Sequence, residues 1–404
     1  MNSDVKLSDL LEIKYGKDHK NLADGIIPVY GSGGIMRYVN EFLYDGESIL
    51  IPRKGTLNNL FYVRGRFWTV DTIFWSKINT EKVFGKFLFY YLTTLDFASM
   101  NVGTAVPSMT SAILNDINIK LPSIDNQKKI AHILSTLDDK IELNRKMNQT
   151  LEEMASAIFK SWFVDFDPVH AKANCTDEAE FENIAKELGI SKEILDLFPS
   201  EFIESELGMI PKGWEIISLD QIANYQNGLA LQKFRPKDEN EFLPVLKIAD
   251  LTRGYTDSEE KADINIKPEC KVFNGDIIFS WSGTLLVDIW CGGNAALNQH
   301  LFKVTSETYS KWFYYYWTKQ HLANFQHIAA SKAVTMGHIK RSHLTEAICF
   351  VPNETLFAHA EKILSPLVEK QIINKLEIFE LQKTRDTLLP KLLSGEIDVS
   401  ELKI

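Results

Sequence analysis

Two stretches of the chain carry apolar residues at a seven-residue period. Residues 127–161 contain no Pro or Gly, and Ile130, Leu137, Asn144, Leu151 and Ile158 recur at every seventh position. Leu134, Ile141, Asn148 and Ala155 make a second row four residues behind the first. Paired rows of this kind predict a long helix that buries one seam along a partner helix, with amides interrupting the apolar surface. A second such helix is predicted by Ala360, Leu367, Asn374, Leu381 and Leu388 beside Leu364, Gln371, Ile378 and Arg385. Asp125 is placed to cap the first helix, and Pro390 to break or kink the second near its end.

The two stretches are copies of each other. Adding 230 carries Ile133, Leu134, Ser135, Leu137, Lys140, Asn144 and Leu151 onto identical residues. Upstream, with small gaps, Leu121-Pro122 matches Val351-Pro352, and Ala105-Val106 matches Ala333-Val334. The aromatic run Lys86-Phe87-Leu88-Phe89-Tyr90-Tyr91 matches Lys311-Trp312-Phe313-Tyr314-Tyr315-Tyr316, and Gly16 matches Gly228. A constant offset over this length means one plan used twice. Each copy is a globular block followed by a long helix. Within the blocks, residues 48–51 and 276–279 predict short buried strands. Residues 86–94 and 311–319 predict aromatic-rich helices. Short helices are expected at 179–188 and 191–197, and a loop at 208–213.

The expected fold class is α+β, with two similar globular domains and two long helices. The expected boundaries are 1–122, 123–205, 206–352 and 353–404. A chain of 404 residues is long enough for more than one core. Its 45% hydrophobic and 24% charged residues are ordinary for a folded chain. No apolar run approaches the roughly 20 residues that span a bilayer, and the N-terminus lacks a signal pattern, so a cytoplasmic location is expected. Cys175, Cys270, Cys291 and Cys349 show no zinc or redox spacing and read as small apolar residues. No metal site is expected.

The net charge is −10, against the basic balance usual for nucleic-acid binders. The acid is concentrated: residues 121–205 hold 9 basic and 17 acidic residues, whereas 1–120 hold 13 and 12 and 206–352 hold 15 and 16. Two nearly neutral blocks therefore remain open to nucleic acid.

Catalytic signatures are lacking. Gly31-Ser32-Gly33-Gly34 has no following Gly-Lys-Ser/Thr, so it reads as a flexible loop at a nucleic-acid surface or a plain turn, not a phosphate cradle. No nucleophile elbow, no His-Glu-x-x-His and no Asn/Asp-Pro-Pro-Tyr motif occurs. The best DNA-contact candidates follow a predicted strand: Arg53, Lys54 and Thr56, in the turn Pro52-Arg53-Lys54-Gly55-Thr56. Their repeat mates in Trp281-Ser282-Gly283-Thr284 keep Ser282 and Thr284 but have lost the cations. Asp71-Thr72 and Gln299-His300 stand in matching positions, and Asn298 and Gln299 carry amides suited to adenine edges. A solvated turn and a capped strand end remain the alternative for these residues. Thr104, Ser108, Lys332 and Thr335 are weaker candidates of the same kind.

The chain resembles the specificity subunit of type I restriction–modification systems. The segment Leu381-Gln382-Lys383-Thr384-Arg385-Asp386-Thr387-Leu388-Leu389-Pro390-Lys391-Leu392-Leu393-Ser394-Gly395-Glu396-Ile397 is similar to that family's C-terminal segment. Phe159-Lys160-Ser161-Trp162-Phe163-Val164-Asp165-Phe166-Asp167-Pro168-Val169 is similar to its central one. Glu206-Leu207-Gly208-Met209-Ile210-Pro211-Lys212-Gly213-Trp214 is similar to its approach to the second recognition domain.

The resemblance implies two target recognition domains, each reading half of a split double-stranded DNA site. It implies that the helices pack as an antiparallel coiled coil with a pseudo-twofold repeat and act as a spacer. Partner subunits are implied as well: two methylation subunits that carry S-adenosylmethionine and methylate adenine, and restriction subunits that use ATP and Mg2+. The chain itself would catalyse nothing and bind no cofactor. Trp162, Phe163, Leu389 and Leu393 are the candidates for subunit docking. Around a pseudo-twofold axis, Asn144 and Asn374 would face each other at mid-helix. Two alternatives stay open: the specificity component of a methylation-only or phage-defence system, and a coiled-coil scaffold that binds no DNA.

Overall fold

The structure, a computed structural model, describes residues 3–103, 106–206, 208–257, 259–331 and 337–403. The chain forms two compact units, Met1–Asp139 with Leu381–Ile404, and Lys140–Glu380. The division runs through both long helices, whereas the sequence boundaries separated helices from globular blocks. Among the described residues, no helix is long and apolar enough to cross a membrane.

The first unit holds an antiparallel sheet in the order Leu11–Tyr15, Ile73–Ile78, Ser48–Pro52, Phe61–Val63. A second sheet runs Gly34–Val39, Asp24–Gly31, Arg66–Thr69, Tyr44–Asp45, with one parallel pairing, between Asp24–Gly31 and Arg66–Thr69. The second unit repeats this plan. Its antiparallel sheet runs Asn224–Asn227, Leu301–Thr305, Ile277–Ser280, Leu286–Ile289. Its mixed sheet runs Lys261–Asp263, Phe242–Leu246, Ala295–Leu297, Lys271–Val272. Ser48–Pro52 and Ile277–Ser280 are buried along their whole length, as a central strand covered on both faces requires. The aromatic runs are helices, Gly85–Thr93 and Lys311–Ser331.

A matched pair of glycines locks each unit. A Cβ on Gly16 would lie 2.0 Å from the Val70 carbonyl oxygen, and one on Gly228 would lie 2.2 Å from that of Asn298. Only a residue without a side chain lets these backbones approach.

The first long helix is Ile124–Phe163. Ser123, not Asp125, caps it: the Asn126 N–H donates to Ser123 Oγ at 3.3 Å. Asp125 already lies in the first turn, past the capping position. The second long helix, Glu354–Ser394, continues past Pro390 and stops before Gly395, whose φ is +80°. Glycine's freedom, not proline's missing N–H, sets that end. The expected loop at 208–213 is instead largely a strand, Gly208–Pro211, paired with Phe202–Ser205.

In the second unit the helical segments are antiparallel, since rising numbers on one meet falling numbers on the other. Asn144 Nδ2 donates to Glu377 Oε2 at 2.9 Å, and Asn148 Nδ2 to the Gln371 carbonyl at 3.2 Å. Asn374 Nδ2 donates to Asn148 Oδ1 at 2.9 Å. Asn144 and Asn374 are both buried but do not bond each other; each reaches a residue one turn beyond its repeat mate. The expected pairing fails because helical neighbours across a seam interleave rather than stand opposite. The Asn144 amide, helped by the Lys140 ammonium, holds the Glu377 carboxyl below its ordinary value. Leu151 and Leu367 are half-buried in this unit, as are Leu137 and Leu381 in the first. There, Arg385 Nη1 donates to Asp138 Oδ1 at 2.8 Å.

The docking candidates are largely interior. Trp162 and Phe163 lie in the second unit's core and Leu393 in the first unit's, with Leu389 half-buried against it. Their size and apolarity serve packing, so they offer little surface to another subunit.

Gly16→Ala and Gly228→Ala should each cost about 1–3 kcal/mol, read as a lower urea midpoint, because the added methyl has only backbone to displace. A second expectation concerns His321, which is half-buried and donates through Nε2 to the Ile348 carbonyl at 2.9 Å. Burial lowers its pKa. The unfolded chain therefore takes up the proton first as pH falls. The second unit should keep its full stability above about pH 6.5 and lose some as pH drops towards the lower folded value. Trp162, Trp214, Trp281, Trp290, Trp312 and Trp317 all report on this unit. Urea titrations at pH 7 and 5, followed by their fluorescence, should differ less for His321→Gln than for the native chain.

Candidate nucleic-acid interface

In the first unit, three segments far apart in sequence are tied together through main chain at one residue. The Arg53 N–H donates to the Thr72 carbonyl at 2.8 Å, and the Arg53 carbonyl accepts from the Met109 N–H at 2.8 Å. On either side, Lys54 N–H reaches Thr72 O at 3.1 Å and Gly55 N–H reaches Pro107 O at 3.0 Å. This knot gathers the end of the buried strand, the turn at 71–72 and the loop at 107–109. Arg53, Lys54, Thr72 and Ser108 thus become neighbours.

The second unit ties the same knot at Trp281. Its N–H donates to the His300 carbonyl at 3.3 Å, and its carbonyl accepts from Ile339 N–H at 3.1 Å. Gly283 N–H reaches Gly337 O at 2.9 Å. Hydrogen bonds therefore equate Arg53 with Trp281 and Thr72 with His300. The sequence repeat made the same alignment.

The side chains on the two knots differ in chemistry. In the first unit, Arg53 lies over the Tyr15 ring, 5.3 Å from its centroid, and donates through Nη1 to the Asp71 carbonyl at 3.2 Å. Lys54 pairs with the Asp71 carboxylate at 3.3 Å, but both groups are exposed. Such a pair is worth little in water and yields readily to a phosphate. Thr56 is exposed. Thr72 Oγ1 accepts from the Ser32 N–H at 3.4 Å, and Asn59 Nδ2 donates to the Ser32 carbonyl at 2.9 Å. The glycine-rich turn at 31–34 thereby borders the cations.

In the second unit, Ser282 Oγ and His300 Nδ1 are 2.9 Å apart, and His300 Nε2 lies 3.3 Å from Gln299 Nε2. An amide nitrogen can only donate, so in that contact His300 Nε2 stands as the acceptor. The Trp281 ring stands 6.1 Å from that of His300 and 6.3 Å from that of His338. Asn298 Oδ1 accepts the His300 N–H at 3.1 Å, so half of its amide is already engaged. Gln299 is exposed, and so is Thr284. Thr104, Lys332 and Thr335 lie outside the described residues.

Sequence reasoning missed Tyr15, Asn59 and His338. The repeat signal for Tyr15 existed, since the adjoining Gly16 aligns with Gly228, but its mate is the unlike Asn227. Among the described residues, no group of His, Cys, Asp and Glu is disposed to hold a metal ion. The arrangement offers groups that can bind and discriminate.

A family model described as the type I restriction modification DNA specificity domain matches residues 2–153 and again 211–379. The chain is 28% identical over 348 residues to the type I restriction enzyme MjaIX specificity subunit of Methanocaldococcus jannaschii, covering 83% of this chain and 74% of that protein. It is 28% identical over 362 residues to the HindI specificity subunit of Haemophilus influenzae, covering 79% of each. The crystal structure of a type I restriction-modification S subunit from M. genitalium matches with a TM-score of 0.59 at 17% identity, over 97% of this chain and 96% of that one, a likeness of fold.

Arg53→Ala and Lys54→Ala should weaken binding to all duplexes alike. Each should reduce the log–log salt slope by about one for every phosphate that is no longer neutralised. Ser282→Ala, which removes no charge, should leave that slope unchanged. Fluorescence anisotropy with duplex DNA across a salt series checks both.

Proposed function

The chain belongs to the type I restriction modification DNA specificity family, and from that premise we propose that each of its units reads one half of a bipartite double-stranded DNA site. The chain is the specificity subunit of such a system, with DNA and the other restriction–modification subunits as its partners. The observation that carries the two-reader assignment is the repeated knot. One main-chain arrangement holds Arg53, Lys54 and Thr72 in one unit and Trp281, Ser282 and His300 in the other. Equal scaffolds with unlike side chains are what two readers of unlike sequences need, since bases are distinguished by side-chain donors, acceptors and methyl contacts.

The division of labour follows from the same chemistry. The first unit holds permanent cations suited to phosphate. The second offers hydroxyl, imidazole and amide groups suited to base edges. Methylation is assigned to two partner subunits holding S-adenosylmethionine, and translocation and cleavage to restriction subunits using ATP and Mg2+. The chain contributes recognition and no catalytic group.

Exchange of residues 1–120 for the corresponding block of a relative tests the reading, with methylated adenines mapped across the genome of the host. One half of the methylated motif should change while the other stays. A simultaneous change in both halves would show that the units do not read separately.

A further inference from the structure

We propose that Met36, with Ile35 beside it, is an apolar base contact that gives the first unit part of its sequence discrimination. The inference rests on the reading of the chain as a DNA specificity subunit. The strand Gly34–Val39 pairs with Asp24–Gly31, but Tyr30 stands opposite Ile35 and Val29 opposite Arg37, so Met36 has no cross-strand partner. This is a β-bulge. In a regular strand one of two consecutive side chains must point inward. The extra residue frees both, leaving Ile35 49% and Met36 58% exposed. Neither side chain belongs to a core cluster of the first unit. Bulges re-aim side chains, and they recur beside functional sites.

The place is specific. A Cβ on Gly31 would stand 2.7 Å from Met36 Sδ and 3.6 Å from Thr72 Oγ1. Thr72 is the residue whose carbonyl receives the N–H groups of Arg53 and Lys54. The thioether therefore lies at the margin of the cationic turn. A backbone phosphate offers it nothing, whereas the apolar surface of a base does. Thymine presents a C5-methyl in the major groove, and methionine also serves as a wedge at base steps in the minor groove. Among the described residues the second unit shows no such tip. Its strands Phe242–Leu246 and Lys261–Asp263 are joined through residues 247–260, which include the helix Ile248–Arg253. Discrimination by Met36 should act on one half-site alone.

The test uses the full chain assembled with its methylation partner and a duplex carrying the site that adenine mapping identifies. Met36→Ala should weaken binding to this duplex about tenfold. It should barely change binding to a duplex with the first half-site scrambled. Met36→Leu, which keeps an apolar side chain, should bind within about twofold of the native chain. Uracil in place of thymine in the first half-site should penalise the native chain more than Met36→Ala if the contact is the methyl. A 2-aminopurine signal that brightens with the native chain and not with Met36→Ala would identify an opened step instead.

The proposal falls if Met36→Ala binds the site like the native chain, or weakens both duplexes equally. It also falls if neither probe separates native from variant. A native complex that does not distinguish the two duplexes would sink the specificity reading and this inference with it.

Discussion

The site depends on one main-chain residue in each unit, bonded through its N–H to one loop and through its carbonyl to another. At Arg53 those loops contain Thr72 and Met109; at Trp281 they contain His300 and Ile339. Backbone groups are present whatever the side chain, so the knot survives a change from arginine to tryptophan. Buried strands behind it, with glycines at 16 and 228 allowing close approach, fix its position. The side chains at the knot are not what ties it, so they can differ between the copies. That is the physical reason one fold can present a cationic surface in one unit and a neutral polar one in the other.

Much of the architecture was legible because repeats carry their own control. Gly16 and Gly228, or the paired aromatic helices, needed no energetic argument to be matched. The alignment of Arg53-Lys54 with Trp281-Ser282, and of Asp71-Thr72 with Gln299-His300, likewise joins residues that the backbone brings together. What escaped was whatever depends on a third segment or on a local break in period. Tyr15 reaches Arg53 from another strand, and its repeat mate, the unlike Asn227, gives no hint of the contact. The bulge at Met36 interrupts alternation by one residue, which a sequence shows only as two adjacent apolar positions. Trp162 and Phe163 read as docking groups because large aromatic residues suit an interface as well as a core; only burial separates the two uses.

The helical seam shows how a heptad pattern can identify a buried row without fixing who meets whom. Asn144 and Asn374 occupy equivalent buried positions, as the period required. Yet each finds its donor's acceptor one turn away, at Glu377 and Asn148. Interleaving of this kind uses Asn148 twice, as acceptor for Asn374 and as donor to the Gln371 carbonyl. A slipped alignment would present these amides to Leu or Ile and leave several buried polar groups without partners.

The first unit is built from two separated pieces of chain. Leu392, Leu393 and Val399 pack into the core that holds Leu7, Leu10, Ile130 and Leu134. On the ribosome, residues 1–139 emerge long before residues 381–404, with the whole of 140–380 synthesised in between. At roughly 5–20 residues per second the early segment would wait tens of seconds for the leucines that close its core. During that interval it exposes an apolar face that its own later sequence is destined to cover. The nascent polypeptide therefore passes through a stage in which chaperone engagement, or capture of the equivalent late segment from a neighbouring polysome, competes with its own completion.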